Sequence, residues 1–216
     1  MAIRVPPSLP YHPLIPWRNA MHHAPSTLAL LGLLALSLSF GAAAGTATSA
    51  TADNANAAGW HTGVITSGGE IHPVPKGSSF MPDPKATYKV VFAMTRGSDD
   101  PSKVSPAVER VARAVNLFTA AGVPLKNLHF VAIAYGAATP AMLDDKHYED
   151  AFLVHNPNLP IIHELRKAGV DIVVCGQAVA EYKYQFEWID HDVPVALSGV
   201  TTITELQLKG YALMQL

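Results

Sequence analysis

The one thiol in this 216-residue chain is Cys175, and it ends an apolar run, Val170–Val174, before Gly176 and Gln177. A cysteine placed where a strand gives way to a helix sits near free backbone N–H groups. These favour the thiolate, the form that attacks sulfur and other electrophiles. Gly176 admits a close approach of backbone or ligand, and Gln177 offers a hydrogen bond to sulfur or to a bound oxyanion. The competing reading is a buried structural thiol, the commoner fate of a lone cysteine beside Ile-Val-Val. Two further segments end strand-like runs in the same way. Thr95-Arg96-Gly97 places Arg96 where it could hold an anion, and Tyr135-Gly136-Ala137-Ala138-Thr139 places Tyr135 and Gly136 at a second strand end.

Other chemistries lack their signatures. There is no Walker A loop, no G-x-G-x-x-G after a strand and no G-x-S-x-G elbow. His129, His147, His155, His163 and His191 show neither H-x-H nor H-E-x-x-H spacing, so they read as scattered histidines and no metal site is expected. Asp144–Asp150 reads as a solvated helix face. A single cysteine excludes an intrachain disulfide framework and a Cys-rich zinc site. With 15 Lys+Arg against 17 Asp+Glu, the chain lacks the basic excess that nucleic-acid binding needs.

The elements that must position these residues alternate. Apolar β-forming runs cover Tyr88–Met94, Leu128–Tyr135, Val170–Val174, Val193–Leu197 and Tyr211–Leu216. Helical patterns cover Pro106–Ala121, Leu159–Ala168, Gln177–Ile189 and Val200–Leu208. In the first of these, Val108, Val111, Ala112, Val115 and Phe118 recur at helical spacing. Strands apolar on both faces and separated by helices predict an α/β three-layer sandwich with a mostly parallel five-stranded sheet. Right-handed crossovers then bring the strand C-termini, and the segments named above, to one edge.

The N-terminal third reads differently. Leu28–Phe40 is 13 residues without a charge, short for a bilayer span and suited to the apolar core of an export signal. Arg18, His22 and His23 precede it, and Ala42-Ala43-Ala44 follows as a cleavage candidate, with Met21 an alternative initiator. The alternative is an uncleaved signal anchor. Cleavage after Ala44 leaves 172 residues with 13 basic and 17 acidic side chains, a net charge of −4. The expected organisation is a signal peptide over 1–44, a linker and extended arm over 45–84, and one α/β domain over 85–216. The expected location is the bacterial periplasm, without stable membrane insertion once the signal is removed.

The domain resembles the DsrE/DsrF-like family, in particular its exported members. The resemblance rests on Tyr88–Phe92, Glu109–Leu117, Ala121–Pro124, Gly136–Thr139, Asn156-Pro157-Asn158-Leu159, Ala168–Gln177 and Leu206–Leu213, taken in order. It implies a five-stranded α/β fold assembled as homo- or hetero-oligomers, often trimers or hexamers, a homo-oligomer being expected here, and no cofactor is expected. It also implies a cysteine that carries sulfur as a persulfide between partners, a sulfurtransferase-like role that falls to Cys175. Small sulfur species or a partner thiol protein would then be its ligands. Asn156 and Asn158 enter as binding candidates through the same resemblance. In similar sequences the residue before Gly136 is often His; here it is Tyr135, so a phenol stands where a base is common. The alternative from a different class is a non-catalytic oligomeric binding module with a structural cysteine.

Overall fold

The computed structural model describes residues 59–216. The export-signal reading of residues 1–44 and the linker reading as far as residue 58 lie outside the described residues. Among the described residues no helix is long and apolar enough to cross a membrane.

Five strands form one wholly parallel sheet: β1 (Tyr88–Met94), β2 (Leu128–Ala134), β3 (Asp171–Cys175), β4 (Val195–Ala196) and β5 (Ala212–Gln215), in the order β4-β3-β2-β1-β5. Helices α1 (Pro106–Ala120), α2 (Asp145–Phe152), α3 (Leu159–Lys167), α4 (Gly176–Glu181) and α5 (Gly199–Leu208) connect them. The register is continuous, with Tyr88 to Met94 paired to Leu128 to Ala134 and Val131 to Ala134 paired to Asp171 to Val174.

The strand order explains why the two faces differ. From β1 to β4 the chain steps across the sheet in one direction, so right-handed connections put α1 and α3 on one face. From β4 it returns across three strands to pair β5 with β1, and this reversed step puts α5 on the opposite face. Side-chain alternation sorts the core accordingly. Val90, Phe92, Met94, Phe130, Ala132, Ile172 and Val174 join the larger core with Val108, Val111, Ile161, Ile162 and Leu165. Val91, Ile133 and Cys175 face the other way, against Ile203 and Leu206 of α5. That second layer is thin. Only Gly199 of α5 is buried, and Val200 and Leu208 are 77% and 79% exposed.

Capping explains several helix starts. Ser105 accepts from the Ala107 N–H ahead of Pro106, Asp144 accepts from the His147 N–H, and Ser198 accepts from the Thr201 N–H. The Asp144–Asp150 run is thus a capped helix start, with Lys146 paired to Asp150 at 2.7 Å.

Two expected elements are shorter than their patterns. The helix read over Gln177–Ile189 stops at Glu181. Lys183 takes a left-handed φ of 60°, and a turn and a 3₁₀ helix (Phe186–Trp188) follow. The aromatic residues that made the pattern look helical pack instead as Tyr184 against Trp188 and Trp188 against His147. Strand β4 keeps two residues of the five expected, because Pro194 has no N–H to donate to a ladder.

Residues 60–84 run as an extended arm over α1. His61 and Ile71 exchange two backbone hydrogen bonds, and Ile65 is fully buried. The arm is held from below by Asn116, itself 0% exposed. Its Oδ1 accepts from the Ile65 N–H at 2.8 Å, and its Nδ2 donates to the carbonyls of Ile65 and Gly69 at 3.0 Å and of Gly68 at 3.3 Å. Glu164 of α3 takes both N–H groups and both hydroxyls of Thr66 and Ser67. Burial alone would raise the Glu164 pKa, but these four donors outweigh it and hold the carboxyl at about 2.

Candidate functional site

The connection after β3 and the connection after β4 diverge to opposite faces of the sheet. Val179 of α4 enters the larger core, and α5 covers the smaller one. Such a divergence opens a crevice beyond the strand C-termini, where ligands of open α/β sheets bind. Cys175 lies in this crevice. A cleft of about 370 Å³ there is lined by Tyr135, Cys175, Gln177, Ser198, Gly199, Val200 and Ile203.

Cys175 is the N-cap of the six-residue helix α4, and its sulfur accepts the Ala178 N–H at 3.4 Å. The thiol is buried, as the structural-cysteine reading expects. The residue is 6% exposed, because β4 closes one side of it and α5 the other. Any reagent must reach the sulfur through the cleft, which selects small ones.

Of the two close approaches expected at Gly176, the structure shows the one by backbone. A Cβ at this position would stand 3.0 Å from the Ala196 carbonyl oxygen and 3.1 Å from Val195 Cγ1. Its missing side chain therefore lets β4 close against β3, rather than making room for a ligand. Gln177 directs its Nε2 to the Leu197 carbonyl at 3.3 Å, tying α4 to the segment after β4 and leaving the sulfur to the Ala178 N–H. Tyr135 is half-buried, lines the cleft and lies against Gly199. Its hydroxyl makes no hydrogen bond to a described residue, so it is free to meet a bound species. Gly136 has a φ of 55°, the left-handed turn that carries the chain from β2 into the 3₁₀ helix Gly136–Met142.

Three sequence candidates lie elsewhere. Arg96 is exposed and lines a separate depression with Thr95, Ser98, Asp99 and Pro106. Asn156 and Asn158 are buried and occupied. Asn156 Nδ2 donates to the carbonyls of Ala141 and Leu143, and its Oδ1 accepts both the backbone N–H and the Nδ2 of Asn158. Asn158 Oδ1 in turn accepts the Ser105 N–H. The Asn156 N–H also bonds the Asp145 carboxylate, which it and His155 hold below its ordinary pKa. These asparagines brace the loop between α2 and α3.

Sequence reasoning missed Ser198, Val200 and Ile203. The signal was available, since Ser198-Gly199 follows β4 as Cys175-Gly176 closes β3, and every strand end reaches the same edge. Ser198 Oγ spends its hydrogen bonds on Thr201, capping α5.

The five-stranded, wholly parallel sheet with helices on both faces and a lone thiol at its C-terminal edge defines the class: a three-layer α/β domain. Within that class the chain belongs to the DsrE/DsrF-like family, whose model matches residues 89–216. Among solved structures it is similar to the "Protein of Unknown Function MTH1491" from Methanobacterium thermoautotrophicum. That match has 19% identity and a TM-score of 0.45, over 60% of this chain and 99% of that one. No curated protein matches it.

Proposed function

We propose that this protein handles sulfane sulfur through Cys175, as an exported, oligomeric DsrE/DsrF-like carrier. The observation that carries the reading is the placement of the only thiol of the chain in the lining of the crevice cleft. The Cys175 thiolate would attack the sulfane sulfur of a small donor. The donor's S–S bond breaks, its remaining half leaves with the electron pair, and Cys175 holds the transferred sulfur as a persulfide. The Ala178 N–H is the donor nearest to that anion, and the Tyr135 hydroxyl is available from the facing wall. No second cysteine exists to resolve the persulfide within the chain, so an external thiol must accept the sulfur.

Untagged protein incubated with thiosulfate or polysulfide should gain about 32 Da per sulfur atom, removable by a thiol reductant and absent from Cys175→Ser. A Cys175 that stays unmodified and also resists alkylation would sink the proposal. A second reading, a binding module with a structural cysteine, is favoured by the burial of Cys175. In that case Cys175→Ser keeps the ligand affinity of the cleft.

The apolar side chains left open on α5, and the edge strand β5, whose four residues are all exposed, support assembly through this face. Sedimentation velocity of the intact protein tests it, and a monomer at micromolar concentration would contradict it. For export, the mature protein from a periplasmic fraction should begin near Gly45.

A further inference from the structure

On the α3 side of the sheet, away from the Cys175 cleft, two histidines and two aspartates converge from elements that the sequence keeps apart. His163 projects from the middle of α3, and Asp190, His191 and Asp192 form the loop that leads into β4. His163 Nε2 stands 3.3 Å from Asp190 Oδ1 and 3.8 Å from Asp192 Oδ2. His191 closes the other side, with Nδ1 3.8 Å from Asp190 Oδ2 and Nε2 3.6 Å from Asp192 Oδ1. From this cluster we infer a binding site for a divalent transition metal of the zinc class, with His163, Asp190 and Asp192 as its ligands and the exposed His191 at its rim.

Three observations support the assignment. The first is distance: the ligand atoms of His163, Asp190 and Asp192 all lie within 4.8 Å of one another. Bonds of about 2.0–2.2 Å to a tetrahedral ion set neighbouring ligand atoms roughly 3.4 Å apart, a spacing that small side-chain rotations reach from here. The second is burial. The Asp190 side chain is only 5% exposed; its Oδ1 accepts the Asp192 N–H, while its Oδ2 accepts no hydrogen bond from any described residue and has the 83%-exposed His191 as its ion-pair neighbour at 3.8 Å. A buried carboxylate beside a second carboxylate is costly without a cation, and a divalent ion between them removes that cost. The third is rigidity. The Asp190 N–H bonds the Met142 carbonyl, its carbonyl takes the Val193 N–H, and its Oδ1 takes the Asp192 N–H, so the central ligand is fixed before any ion arrives.

The mixed imidazole–carboxylate set names the ion class. Calcium and magnesium sites are built from oxygen alone, whereas an imidazole ligand suits zinc, nickel, copper or cobalt. Its task is structural. An ion here staples α3 to the loop before β4, and β4 pairs with the end of β3 at Cys175. No metal was expected from the sequence because residues 163 and 190 lie 27 positions apart, and no local motif spans that interval.

The test uses the untagged full-length chain and Co(II) or Zn(II) alone. Co(II) should bind one-to-one with the visible d–d bands of a low-coordinate N/O site, and Zn(II) should displace it and raise the melting temperature. His163→Ala and Asp192→Asn remove ligands that are partly exposed. Each should retain the native circular dichroism and weaken the metal at least about 10- to 100-fold, the loss that even a supporting residue causes. Millimolar or weaker binding by the native chain would overturn the site. So would native affinity retained by both variants, since the ion would then be held by histidines elsewhere.

Discussion

Replacing Asn116 by alanine should detach the arm while leaving the sheet folded. The Asn116 side chain is fully buried and serves four backbone groups of the arm, one accepted N–H and three carbonyls that share two amide protons. If the arm stayed in place after truncation, at least two or three buried polar groups would lose their partners. At about 1–3 kcal/mol each, that amounts to roughly 2–9 kcal/mol. Releasing the arm instead lets those groups find water and re-exposes Ile65, at about 1.5–3 kcal/mol, with chain entropy regained as a partial offset. The chain takes the less costly course, so the expected loss is about 1–3 kcal/mol, expressed as local opening. Native-state hydrogen exchange reads this directly. The amides of Ile65 and Ile71, bonded to Asn116 and to the His61 carbonyl, should lose protection, while those of β1 and β2 keep theirs. A parallel urea titration gives the total. The reasoning fails if Asn116→Ala leaves the Ile65 amide as protected as in the native protein and the unfolding free energy within about 0.5 kcal/mol of it.

Two other outcomes follow from the same geometry. The Glu164 carboxyl is depressed from its ordinary 4.5 to about 2, so the stability it contributes is complete above pH 4.5 and lost as the pH falls towards 2. Glu164→Gln should flatten the acid limb of the arm's protection between those limits, and an unchanged acid profile would show that the carboxylate does not hold the arm. Gly176→Ala places a Cβ against the Ala196 carbonyl and should cost about 1–3 kcal/mol. Because the two-residue β4 is the element able to yield, alkylation of Cys175 should also become faster; unchanged alkylation and stability together would mean that β4 does not guard the cleft.

Much of the frame could be read from residue pattern. The starts of β1, α1, β2 and α3 match the expected ones because each segment carries a dense local signal. In the strands it is an apolar run on both faces, and in the helices it is a cap or an initial proline. The pattern failed where long-range packing overrides local preference. Tyr182, Tyr184 and Trp188 look like a continuation of α4, yet their rings stack in a turn whose left-handed residue is Lys183. Asn116 looks like one polar position on an amphipathic helix, and only the docked arm reveals that it is buried. Arg96, Asn156 and Asn158 occupy plausible loop positions, but their distance from the thiol is set by how the loops return.

By itself, the order of strands and helices determined that Cys175 would lie at the C-terminal edge of a parallel sheet, since handed crossovers allow no other edge. Tertiary structure alone decided what surrounds it. The reversed step from β4 to β5 carries α5 across the second face, which buries the sulfur and makes Tyr135, Ser198 and Ile203 its neighbours. The same folding brings His163 to Asp190 and Asp192. Periodicity reports which face a residue takes, but a site is made by faces meeting, and that meeting depends on contacts between residues far apart in the chain.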